Sequence, residues 1–195
     1  LTDSEYPQIL SRLSSIIRGL GDPLVSVYAR LFLVLMGKKV DPGTQYILAS
    51  IQDYFFSFQQ LQTPKMVAYL KRWQLTEGQY LHLHSPAIEW ILKCVGKDAS
   101  KETFQIVLQQ YMEHCNHRAV LKHIIEAFDA GLYSHGSLAM VTLIKSSLDD
   151  GIDVVDVFKL LADRLVPSPP PEEQRLPLLN EVWKSVSKCD SLLKY

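Results

Sequence analysis

The chain has few cysteines, no dense run of basic residues and no long hydrophobic stretch. Cys94, Cys115 and Cys189 are odd in number, widely spaced and without a CxxC. That argues against a disulfide framework and fits a reducing compartment. The longest apolar run, Leu31 to Met36, is six residues and follows Arg30. A membrane span needs roughly 18–20. Twenty basic residues stand against twenty-one acidic ones, for a net charge of −1. Such a chain has no bulk attraction for nucleic acid or for an anionic membrane, and no local basic patch supplies one. Catalytic signatures are also missing: no GxSxG, no P-loop, no GxGxxG and no HExxH. The first residue is Leu1, with no basic-then-apolar leader pattern. The sequence is therefore expected to be a piece of something longer.

What is present is a core-forming composition, 47% hydrophobic and 21% charged over 195 residues, which fits one domain or one slice of a larger one. The apolar residues recur at helical spacing. Leu24, Val27, Tyr28, Leu31 and Leu35 form one stripe, and Ile47, Ile51, Tyr54, Phe55 and Phe58 another. Phe104, Val107, Leu108, Tyr111 and Cys115 form a third, and Leu121, Ile124, Ile125 and Phe128 a fourth. Phe158, Leu161 and Leu165 follow, then Leu176, Leu179, Val182, Trp183 and Val186. Alternation of period two appears only over Tyr80–His84.

Helices are expected near 4–19, 23–37, 44–61, 64–74, 86–96, 101–115, 118–130, 137–149, 152–165 and 173–193. Asp22-Pro23 and Ser85-Pro86 read as an N-cap followed by proline at the first helical position, where a missing N–H costs nothing. The segment 63–84 reads as an irregular connection, and 166–172, with Pro167 and Pro169–Pro171, as a proline-rich inter-helix loop. Helix pairs then recur roughly every 35–42 residues, the spacing of HEAT-like or armadillo-like repeats. A closed helical bundle is the competing architecture. The helix from Pro23 is apolar nearly all round, so it should be covered on several sides.

Candidate chemistry is sparse. His114-Cys115-Asn116-His117 resembles a metal motif, but Cys115 belongs to the apolar stripe and no second cluster supplies further ligands. No metal, cofactor or enzymatic activity is expected. Asp149-Asp150 and Glu172-Glu173 read as solvated helix ends, and Cys94 as a small core residue. Phe56 falls off its stripe and is either covered by a second layer or a binding anchor. Arg30, four residues after Ser26 on an apolar helix, must be paired with a carboxylate or reach an interface.

The run Ile17-Arg18-Gly19-Leu20-Gly21-Asp22-Pro23-Leu24-Val25-Ser26-Val27-Tyr28-Ala29-Arg30 resembles the large scaffold subunits of the retriever complex. These are the retromer-scaffold-like family of the Commander endosomal recycling assembly. Ser85-Pro86-Ala87-Ile88-Glu89-Trp90-Ile91 is similar to the family's proline–aliphatic–acid–Trp helix. Pro169–Arg175, leading into Leu179-Asn180-Glu181-Val182-Trp183-Lys184, is similar to its Leu-Asn-Glu-x-Trp-Lys segment.

The resemblance implies an all-α fold, an α-solenoid of HEAT-like antiparallel helix pairs, spanning 1–195 as one segment of an N-terminal half. It implies a non-catalytic scaffold that retrieves membrane proteins from endosomes to the cell surface. The implied partners are an arrestin-fold subunit, a small metallophosphatase-fold subunit held by a region absent here, other Commander subunits and a sorting-nexin cargo adaptor. Membrane contact would be indirect, from a cytoplasmic position on endosomes. Asp22, Pro23, Leu24, Tyr28 and Arg30 are the residues expected to touch a partner or to shape that surface. A helical-repeat adaptor unrelated to sorting, a hydrolase using His114 and His117, and a nucleic-acid-binding repeat are the alternatives.

Overall fold

A computed structural model describes residues 5–61 and 63–187. The expectations for Leu1, for Cys189 and for a last helix reaching 193 lie outside the described residues. Among the described residues ten α-helices follow one another: α1 Tyr6–Ile17, α2 Pro23–Gly37, α3 Gln45–Leu61, α4 Pro64–Arg72, α5 Glu77–Gly96, α6 Lys101–His114, α7 Arg118–Ala127, α8 Ser137–Ser146, α9 Val154–Leu165 and α10 Glu172–Val186. Two short 3₁₀ turns, Ala130–Leu132 and Ser134–Gly136, separate α7 from α8. Among the described residues there is no strand, only an isolated bridge between His117 and Leu148.

Local chemistry sets the helix starts. The Asp22 carboxylate accepts hydrogen bonds from the N–H groups of Leu24 (2.9 Å) and Val25 (3.0 Å), with Pro23 at the first helical position. Ser100 caps α6 through the Thr103 N–H at 3.2 Å, and Asp153 caps α9 through Val155 at 2.9 Å.

Ser85-Pro86, however, is no helix start. Thr76 and Gln79 form a reciprocal capping box nine residues upstream of Ser85, and α5 runs from there straight through Pro86. Two satisfied donors at Thr76 outweigh one missing N–H at an exposed proline. The irregular connection expected over 63–84 therefore consists of α4 and the first half of α5. The loop over 166–172 connects α9 to α10, and Arg175 Nε ties it down by donating to the Pro170 carbonyl at 3.0 Å.

The helices stack in two layers. In one, α2, α5, α7 and α9 lie side by side; in the other, α1 packs on α3 and α3 on α6, and α10 packs on α8. Contacts fix the direction. The Ser14 and Ser50 hydroxyls meet at 3.2 Å across 36 residues of sequence, and Lys145 reaches Glu181 at 2.9 Å across 36. Arg164 donates to the Phe128 carbonyl at 2.9 Å, again across 36 residues. A second contact at nearly the same offset, Arg18 to Asp53 at 2.9 Å and Arg118 to the Ile152 carbonyl at 2.6 Å, shows that α1 runs parallel to α3 and α7 to α9, one hairpin apart, the arrangement of an α-solenoid. Between α2 and α5 the offset is 55 and 56 residues, because α4 and its links are interposed.

Neighbouring backbone comes very close to α5 at two of its glycines. A Cβ on Gly96 would sit 2.2 Å from the Ala127 carbonyl oxygen, and one on Gly78 2.4 Å from that of Asp150. Both neighbours are backbone and cannot swing aside. Gly96→Ala is expected to destabilise the fold by about 1–3 kcal/mol even though alanine favours the helix. A urea titration with unchanged midpoint would show that α5 and α7 can part at no cost.

The core is Ile47, Ile51, Tyr54 and Phe55 of α3, Ile88, Ile91 and Leu92 of α5, Tyr111 of α6, and Leu121, Ile124, Ile125 and Phe128 beneath α7. On α2 the buried face is Val27, Arg30, Leu33, Val34 and Gly37. Of the stripe drawn from sequence, Tyr28 and Leu35 are instead exposed. On α10, Leu178, Val182 and Val186 pack on the core, while Leu176, Leu179 and Trp183 point away from it.

Candidate partner-docking face

The five expected contact residues cluster at the start of α2 but do different things. Asp22 is occupied as the helix cap. Pro23 and Leu24 are half-buried. Tyr28 is exposed along its ring, and its hydroxyl donates to the Leu83 carbonyl of α5 at 3.1 Å. Pro86 leaves the His82 carbonyl, four residues before it, without an intrahelical donor. The Tyr28 bond reaches the next carbonyl along and ties α2 to α5 beside that turn.

Arg30 is not on the surface. Its side chain is 4% exposed, and its guanidinium faces the Asp53 carboxylate of α3, NH2 to Oδ2 at 3.7 Å, while NH1 donates to Ser26 Oγ. Pairing with a carboxylate on a neighbouring helix, and not interface exposure, is how the charge on α2 is accommodated. Arg18 approaches the same carboxylate from the surface at 2.9 Å. Burial lowers the Arg30 pKa from its ordinary value, and Asp53 opposes that shift.

With Arg30 turned inward, α2 presents Val25, Tyr28, Phe32, Leu35 and Met36 to solvent, Phe32 at 63% exposed. The parallel α5 adds Leu83 and Trp90, Trp90 at 56%. The Tyr28–Leu83 hydrogen bond joins the two rows into one apolar strip. Exposed apolar side chains grouped on adjacent helices in this way mark places where something docks. Sequence reasoning missed Phe32 and Trp90 as surface residues. An aromatic outside the face chosen for burial is the signal that could have found them.

His114 and His117 pack against different aromatic rings. His114 stacks on the half-exposed Phe56 with ring centroids 4.0 Å apart. His117 lies elsewhere, buried beneath Phe58, with Glu77 3.7 Å from Nε2 and Asp150 3.9 Å from Nδ1. No group of three or more His, Cys, Asp or Glu that could hold a metal ion occurs among the described residues.

Asp150 differs from the solvated helix end expected of it. Its side chain is 1% exposed and accepts the Ala119 N–H at 2.7 Å, supplying α7 with the cap that its own N-cap residue, His117, does not provide. Asp149 and the Glu172-Glu173 pair are exposed. Cys115 is a buried thiol whose pKa burial pushes well up, and Cys94 is partly buried against the core.

Residues 1–83 match the family model described as VPS35L, and residues 99–195 match the VPS35L C-terminal domain. The chain belongs to the VPS35L family. It is 33% identical over 200 residues to the rat protein named VPS35 endosomal protein-sorting factor-like, which covers 100% of this chain and 21% of that protein. The zebrafish protein of that name is 34% identical over 203 residues, covering 100% and 20%. The Dictyostelium discoideum relative is 29% identical over 195 residues, covering 99% and 20%. The chain thus spans about a fifth of the length of these curated relatives and runs across the junction of two VPS35L family models. Relatives named as endosomal sorting factors and an α-solenoid with an exposed apolar strip are mutually consistent. Among the described residues no helix is long and apolar enough to cross a membrane.

Proposed function

We propose that this segment is part of a non-catalytic scaffold in an endosomal recycling assembly of the retriever type, returning membrane proteins from endosomes to the cell surface. In this reading the α2–α5 strip receives a protein partner, and the arrestin-fold subunit is the first candidate. Asp22 and Arg30 act indirectly: one starts α2, the other fixes which side of it faces out. Pro23, Leu24 and Tyr28 border the contact. Attachment to endosomes would come through partners, including a sorting-nexin adaptor and other Commander subunits. The observation that carries the proposal is the exposure of Phe32 and Trp90 on adjacent parallel helices in a family whose relatives are named as endosomal sorting factors.

The test is co-purification of the arrestin-fold subunit with the full-length polypeptide. Phe32→Asp, at an exposed position, should leave the fold intact and weaken binding by about 2 kcal/mol, roughly thirtyfold. Undiminished binding by Phe32→Asp and by Trp90→Glu would remove the strip from the proposal.

A further inference from the structure

On the face of α2 away from the apolar strip, α1, α2 and α3 frame a cavity of about 490 Å³. Its charged lining is Arg18, Arg30 and Asp53; Leu20, Pro23 and Phe56 supply apolar wall. Two guanidiniums therefore share one carboxylate, and the lining carries one positive charge in excess. The inner pair, Arg30 and Asp53, is held in place. Arg30 and Asp53 have side chains 4% and 6% exposed, and Arg30 is pinned by Ser26. Neither is fully satisfied: Arg30 Nε has no hydrogen-bond partner, and Asp53 Oδ2 meets Arg30 only at the 3.7 Å contact. Arg18, by contrast, is 66% exposed and lines the cavity from the solvent side. A preorganised fork of donors with surplus positive charge and partial shielding from water is the arrangement that binds an oxyanion.

We propose that this cavity is a docking site for an oxyanion, a carboxylate or a phosphate, borne by an acidic segment of a partner polypeptide. The anion would lie between Arg18 and Arg30, and the residue next to it would pack on Leu20, Pro23 and Phe56. Arg18 is the mobile half of the clamp and can pivot from Asp53 to the incoming group. Arg30 is the fixed half. The polypeptide nature of the occupant rests on the scaffold reading above; the anion site itself does not.

The experiment follows the arginine Nε–Hε resonances of the isotope-labelled chain. The probes are the peptide acetyl-Ala-Leu-Glu-Leu-Ala-amide, its glutamine analogue and its phosphoserine analogue, all at fixed ionic strength. A saturable shift at Arg18 and Arg30 with the Glu or the phosphoserine peptide, and none with glutamine, is the expected result. Which of the two binds identifies the oxyanion. Arg18→Gln alters an exposed residue, keeps the fold and should weaken binding about three- to tenfold. Asp53→Asn keeps an acceptor while removing the competing charge, so a folded Asp53→Asn chain should bind more tightly than the parent. Equal shifts from the glutamine peptide, no shift from any peptide, or unchanged affinity in Arg18→Gln would each overturn the site. So would a folded Asp53→Asn chain that binds no more tightly. None of these results would touch the co-purification test of the α2–α5 strip, so the two proposals fail separately.

Discussion

Replacing Asp53 by alanine is expected to destabilise the fold by about 3–5 kcal/mol, the usual cost of leaving a buried charge without its counter-ion. The stranded group is Arg30, whose side chain is 4% exposed. Ser26 can offer it a neutral acceptor but no charge. Arg18→Ala should cost under about 1 kcal/mol, because that guanidinium is mostly in water and its pairing with Asp53 is screened. The double replacement Arg30→Met with Asp53→Leu should recover most of the loss, since apolar residues of similar volume fill such sites without a desolvation penalty. Urea titration of the four chains measures all three differences. An Asp53→Ala chain within about 1 kcal/mol of the parent would show that Arg30 finds solvent or another partner when Asp53 is gone.

The ion pair also bears on function. Helix α2 is apolar nearly all round, broken only by Ser26 and Arg30, so its many apolar positions do not single out one inward face. A single buried charge does, because only one rotation brings Arg30 to Asp53. That rotation points Tyr28, Phe32 and Met36 outward. The double replacement separates the two roles: stability returns, but the rotation of α2 is no longer specified. Reduced partner binding by a stable Arg30→Met/Asp53→Leu chain is the signature of that role.

The same reasoning explains which parts of the fold could be read from sequence. The stripes on α3 and α7 are legible because each of those helices has one apolar face and one polar face. Ile47, Ile51, Tyr54, Phe55 and Phe58 are all buried, as are Leu121, Ile124, Ile125 and Phe128. On α2 and α10 the pattern is ambiguous, since apolar residues occur on two faces. On α10 the stripe drawn from Leu176, Leu179, Val182, Trp183 and Val186 divides: Val182 and Val186 pack inward with Leu178, while Leu176, Leu179 and Trp183 are exposed. Period cannot choose between two faces; tertiary packing does.

The start of α5 was hidden for a different reason. Ser85-Pro86 carries the usual signature of a helix start, whereas the Thr76–Gln79 box uses glutamine and contains Gly78, which looks like a breaker. Gly78 is there because the Asp150 carbonyl approaches it, a long-range contact that leaves no local trace. Asp150 is illegible for a related reason. Its carboxylate caps a helix 31 residues earlier in the chain, and nothing near position 150 points to Ala119. The apolar strip was visible as excess hydrophobicity on α2, but its membership was not, because it depends on where Arg30 goes.

Acid is expected to destabilise this fold through His84. The ring lies in the core of α5, 2% exposed, with its centroid 4.8 Å from that of Tyr80 and 5.9 Å from that of Tyr54. Neither ring nitrogen has a hydrogen-bond partner. Burial favours the neutral form and pushes the pKa down from 6.5 to about 4, with Asp22 opposing weakly. Above pH 6.5 both folded and unfolded chains hold the ring neutral, and the contribution is fully present. Below it the unfolded chain takes up a proton that the folded chain refuses, so stability falls until the pH reaches the folded value. At about 1.36 kcal/mol per pKa unit, the loss across that window is about 3 kcal/mol. His117 and His123, whose pKa values burial also lowers, act in the same direction. His84→Leu isolates the first contribution. It removes two unpartnered nitrogens and leaves an apolar group beside Tyr80, so stability at pH 7 should hold or rise by up to about 2 kcal/mol. Between pH 7 and pH 4 the variant should lose about 3 kcal/mol less than the parent, as read from urea midpoints at the two pH values. Parallel losses in the two chains would mean that His84 takes a proton inside the fold, which requires the layer between α3 and α5 to admit water.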